Sequence, residues 1–253
     1  MRNDENVIYS EKPKNMEAIS KATFYARVFL YFGISLLLTA GLTIGLTYLF
    51  NSIWPIASTG SRIAYFTITI ISAIGVVVSS VNATFRSLAK SQGGIVSWLF
   101  YVLFMSFLLS TIGYYIEDLN LVGIAVLITS GMFLVMCIFG LILRDKVSWL
   151  WLIAIGLLSG AGIICLVNFF LIPILYVSNG NLSAVRQMYY IVDFIILIYG
   201  LIITAIDMWN IKKFAQTAQD NTNVALYFAL NLYNDYILIL LKVIVILLRS
   251  SRD

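Results

Sequence analysis

Histidine is absent from this 253-residue chain, and only two cysteines and three prolines occur in it. Without imidazole there is no histidine ligand for zinc or haem and no base for a serine nucleophile, so any pH response falls to carboxylates. Cys137 and Cys165 both lie inside apolar runs, which reads as two packed thiols and not as a disulfide. Glycine-rich phosphate loops and clustered thiolates are missing too; the expectation is a protein that is not an enzyme and has no cofactor. Charge is scarce: 11% of residues are charged, 61% are apolar, and the mean hydropathy is +0.95. A soluble domain of that balance would lack polar surface, so the chain reads as a polytopic membrane protein.

What fills the sequence instead is long apolar runs. Residues 1–23 are polar and of mixed charge, too hydrophilic for a signal-peptide core, and read as a cytoplasmic tail. Residues 24–253 then form one seven-helix transmembrane domain. Its runs fall near 24–50, 62–82, 96–116, 121–143, 148–171, 189–210 and 224–248, each about the length of a span. Asn51 with Pro55, Ser91 to Gly94, Glu117-Asp118, Arg144 to Lys146 and Pro173 to Asn181 punctuate them. The turns at Glu117 and Arg144 are so short that the third, fourth and fifth helices are expected to be antiparallel neighbours.

Cation placement sets the expected orientation. With the N-terminus inside, Arg2, Lys12, Lys14, Lys21, Arg86, Lys90, Arg144, Lys146, Lys212 and Lys213 are cytoplasmic, ten against the four of Arg62, Arg186, Arg249 and Arg252. Seven crossings then leave the C-terminus outside. Tight turns and a minimal tail point to a cell membrane of bacterial type. The last run is a poor independent span, because it holds Asp235 and Lys242; it reads as a buried central helix or a partly re-entrant one.

Acids inside apolar runs are expensive and usually have a partner and a task. Asp235 stands in the middle of the last run, and Asp207 near the end of the sixth. Asp193 precedes Asp207 by fourteen residues, close to four helical turns, so the two share a face. The bland alternatives are that Asp193 caps its helix or sits at the headgroups, and that Asp207 pairs with Lys212 or Lys213. A purely structural acid is the corresponding alternative for Asp235. Lys242 lies seven residues beyond Asp235 and reads either as a snorkelling side chain or, much less readily, as a Schiff-base lysine for retinal. Arg27 reads as a snorkelling anchor. Gly131, Gly140, Gly156, Gly160 and Gly162 read as close-packing sites between helices.

Several motifs resemble the bacterial branch of the transmembrane Bax inhibitor motif family. Leu230-Asn-Leu-Tyr-Asn-Asp-Tyr-Ile237 is similar to its S-L-Y-L-D-F-I signature, and Ala205-Ile-Asp-Met-Trp-Asn-Ile-Lys212 to its Y-D-x-x-x-I-K. Leu141 to Trp151 followed by Leu166 to Phe170 resembles its fourth-to-fifth helix region. The resemblance implies an all-α integral membrane bundle of six helices around a central seventh. It further implies that Asp207 and Asp235 form a hydrogen-bonded pair whose protonation gates a calcium leak. Arg86, or else Lys90, would be the cation that locks the first aspartate. This chain departs from the pattern at Ile206, Asn234 and Leu238, where the family has tyrosine, an apolar residue and asparagine. It also lacks the family's acid within the second helix.

Two carboxylates forced together in a low dielectric share one proton more readily than both ionise. That supports a pH sensor at Asp207 and Asp235, with transient calcium binding there and Asp193 as an outer relay. Calcium normally takes six to eight oxygen ligands, so two aspartates favour passage over storage. The rival reading is a membrane-embedded modulator that binds a membrane protease or cell-death and stress machinery and conducts nothing. A proton-coupled transporter is a third, weakened by the absence of an evident internal repeat. Lipid, calcium and protons are the expected partners, and nucleic acid is not.

Overall fold

A computed structural model describes residues 14–53, 59–88, 94–115, 119–144, 147–177, 183–217 and 222–250. They form seven helices: α1 (Lys14–Ile53), α2 (Thr59–Leu88), α3 (Gly94–Tyr115), α4 (Leu119–Ile142), α5 (Ser148–Val177), α6 (Ser183–Thr217) and α7 (Thr222–Ser250). Each contains a stretch long and apolar enough to cross a membrane. Inside hydrocarbon a chain must satisfy its own backbone hydrogen bonds, which is why apolar runs of this length become uninterrupted helices. Residues 1–13 of the expected tail lie outside the described residues, and α1 begins already at Lys14, within that polar stretch. Helix α5 runs past Pro173 to Val177, as transmembrane helices tolerate.

Helix α7 is continuous over 29 residues, about 43 Å at 1.5 Å per residue, enough for a hydrocarbon core of about 30 Å. A re-entrant segment would need a break, and this backbone has none. Half of the apolar stretch of α7 is buried, against 17% for α1, α2 and α5. It packs against α1, α2, α3, α4 and α6, while among the described residues α5 packs against α6 only. The bundle thus has two groups, α1–α3 and α4–α6, with α7 between them. Helices α1 and α3 run in step: Trp98 Nε1 donates to Ser35 Oγ at 2.9 Å, and Thr43 and Thr47 donate to the carbonyls of Ser106 and Ser110, each at 3.4 Å. Where α1 begins, which we call the near side, Phe24, Phe214 and Phe228 from α1, α6 and α7 meet ring against ring.

Two expectations need correction. Helices α3, α4 and α5 are not packed neighbours along their lengths: among the described residues neither α3 with α4 nor α4 with α5 shares an interface. A short turn fixes only that two ends are near; burial then decides the faces, and α3 joins α1 and α2 whereas α4 and α5 join α6. Of the five glycines expected at close contacts, only Gly140 fits, its missing Cβ falling against the Ala205 carbonyl of α6. Gly131, Gly156, Gly160 and Gly162 have open space on that side. Helix α5 meets α6 through the stripe Leu150, Ala154, Ala161 and Asn168, all buried, which turns Gly156 and Gly162 outward. The other close approaches are at Gly75 against Phe104 and Gly200 against Leu238.

Candidate functional site

Four successive residues of α7, from Tyr233 to Asp235 and Tyr236, each reach a different helix. A step of about 100° per residue sends consecutive side chains around the axis, and α7 has five helices packed against it to meet them. The Tyr233 hydroxyl and Thr39 of α1 hydrogen-bond at 2.7 Å. Tyr101 of α3 donates to Asn234 Oδ1. Asp235 bonds Thr204 of α6, and the Tyr236 hydroxyl pairs with Ser130 of α4 at 3.0 Å. These bonds make a polar collar around the middle of α7. Asn234 was notable in the sequence only as a departure from a pattern; its partner Tyr101 is what places it here.

Asp207 and Asp235 come together across the α6–α7 interface, close enough for the charge of one to act on the other. Asp235 is 8% exposed, and its Oδ2 is buried with no hydrogen-bond partner among the described residues. Asn210, one turn beyond Asp207, bonds the Asp207 carboxylate. Cys137 of α4 and Tyr199 of α6 also lie within electrostatic reach of Asp235. Thr204, whose hydroxyl also bonds the Gly200 carbonyl at 2.8 Å, and Asn210 were not picked out from the sequence. Their positions three residues either side of Asp207 are the signal that finds them.

The cations near this pair are engaged elsewhere or undescribed. Lys212 donates to the carbonyls of Leu141 and Leu143 at 2.7 and 3.1 Å, capping the end of α4, and Lys213 lies over the Trp209 ring at 4.9 Å. Neither pairs with Asp207. Arg86 belongs to the last turn of α2, but its side chain is outside the described residues, as is all of Lys90.

On the far side the same two helices carry a different arrangement. Asp193 is held by Lys242 at 2.8 Å and by Arg249 at 2.6 Å, and the Arg249 guanidinium lies over Tyr190 at 5.3 Å. Asp193 therefore ties together the far-side ends of α6 and α7. Lys242 is ion-paired with this carboxylate. Asp193, Gly200 and Asp207 recur every seven residues on α6, as do Asp235, Lys242 and Arg249 on α7. One seam thus runs from the acid pair, past the Gly200–Leu238 contact, to the far-side ion cluster. No group of three or more His, Cys, Asp or Glu able to hold a metal occurs among the described residues.

Seven membrane-crossing helices and no strand among the described residues define a multi-pass helical membrane protein. The family described as inhibitor of apoptosis-promoting Bax1 matches residues 21–253, nearly the whole chain, and the protein belongs to that family. No curated protein and no solved structure matches it.

Proposed function

We propose that the protein is a pH-sensitive calcium leak of a cell membrane, with its N-terminus cytoplasmic, gated by protonation of Asp207 and Asp235. The observation that carries this reading is the acid pair on facing helices, Asp235 buried and Asp207 half-buried, with one oxygen of Asp235 without a hydrogen-bond partner among the described residues. A proton shared between the carboxylates ties α6 to α7 and shuts the path. Its loss leaves two repelling charges, which recruit a hard cation whose remaining oxygen ligands come from Thr204, Asn210, carbonyls and water. Arg86 is the proposed alternative counter-charge for Asp207. The reading implies that flux rises as pH rises, because the shutting form is the protonated one. Replacing both Asp207 and Asp235 by Asn is the direct test: calcium flux into liposomes should lose its pH dependence, and an unchanged dependence would sink the proposal.

One observation favours a second reading, a membrane-embedded modulator of a membrane protease or of stress machinery. Among the described residues helix α5 is held by α6 only and turns an open glycine face outward, a surface on which a partner's helix would fit closely. A modulator should lose its partner when Gly156 and Gly160 are enlarged or residues 1–20 removed, whereas a leak should still conduct.

A further inference from the structure

Between α1, α4 and α7, on the far side from the acid pair, lies an open cavity of about 400 Å³. Leu37, Ala40 and Ile44 of α1, Val126 of α4, and Tyr236 and Leu241 of α7 line it. Helices α1 and α4 meet where Phe32 stacks on Phe133, ring centroids 5.2 Å apart; the cavity lies farther along both helices, where their backbones stay apart, so its mouth is a lateral gap between them. Its rim continues the outer apolar surface: Leu37 is 76% exposed and Ile44 72%. Both belong to spans of the membrane-crossing type, so the phase at the mouth is hydrocarbon.

The wall offers little to a polar ligand. The hydroxyl of Thr39 is bonded to Tyr233, that of Thr43 to the Ser106 carbonyl, and that of Tyr236 to Ser130. What remains facing the cavity is aliphatic and aromatic carbon, which is how sites for alkyl chains are built. A void of this size left without partner atoms loses dispersion contacts along its whole lining. We infer that this cleft holds an acyl chain of a bilayer phospholipid, entering laterally between α1 and α4. The chain then packs against Tyr236, the residue after Asp235, and stiffens the side of the collar facing α4. This holds whether or not the protein conducts calcium.

The test is photolabelling of the full chain in bilayers of phosphatidylcholine carrying a diazirine midway along one acyl chain, with labelled positions mapped by mass spectrometry. Label should concentrate on residues 36–44 and 236–244 above the level on the lipid-facing α5 residues Leu152 and Ile163. Ala40→Phe, which fills the cleft, should lower that label about tenfold, equivalent to about 1.4 kcal/mol of chain binding, and leave α5 labelling unchanged. Ala40→Ile should give an intermediate loss, and the wild-type map decides the matter if neither variant folds. Labelling of the cleft no stronger than that of α5, or unaffected by a folded Ala40→Phe, overturns the inference.

Discussion

The two ends of the α6–α7 seam carry the same kinds of residue in opposite balance. On the far side one carboxylate, Asp193, is gripped by two cations, Lys242 and Arg249. At the collar two carboxylates face each other, supported by the neutral groups Thr204 and Asn210. The far-side cluster has a single good arrangement and holds the helix ends together. The acid pair has none that satisfies both charges at once, and under the proposed function its state follows the proton. On that proposal, placing both on one seam gives α7 a fixed end and an end able to switch. The Gly200–Leu238 contact stands between them, where an added Cβ would come within 2.5 Å of Leu238.

The comparison can be broken in order of expected effect. Gly200→Leu forces the helices apart midway along the seam; overpacking of this kind costs about 1–3 kcal/mol, and thermal unfolding in detergent should show it as the largest loss. Gly156→Leu on the open face of α5 serves as the control and should leave unfolding nearly unchanged. Asp193→Ala should come next, at about 1–3 kcal/mol for two cations left without their acid; Lys242 and Arg249 are 24% and 33% exposed, so water relieves part of the loss. That variant should keep the pH dependence of flux, since the switching end is untouched. Tyr101→Phe should cost about 1 kcal/mol by removing the donor to Asn234. The smallest effect, about 0.5 kcal/mol, is expected for Lys212→Met, which removes a cation from the carbonyl end of α4; a pH response flattened by Lys212→Met would mean that this lysine serves the acid pair after all.

Much of this was legible in the residues. Apolar runs of about 20 locate all seven helices, because hydrocarbon leaves the backbone few other choices. Acids inside those runs stand out for the same reason, and the match to the family motifs marks Asp207 and Asp235 as a pair. Packing partners were not legible. Tight turns bring α3, α4 and α5 end to end in the chain, yet which face each helix buries depends on all the others at once. The glycines of α5 illustrate this: they permit close approach, but among the described residues no helix lies on their side. The grip on Asp193 was half visible in the seven-residue spacing of Asp235, Lys242 and Arg249. Seeing it whole requires the antiparallel alignment of α6 with α7, which no local pattern encodes.

The most direct test of a switching end beside a fixed one is calcium flux into liposomes at pH 6 and pH 8, for the wild type, Asp235→Asn and Asp193→Asn. Higher flux at pH 8 in the wild type and in Asp193→Asn, with a flat response in Asp235→Asn, is the predicted result. A pH response that survives Asp235→Asn, or no flux from the wild type at either pH, would contradict it.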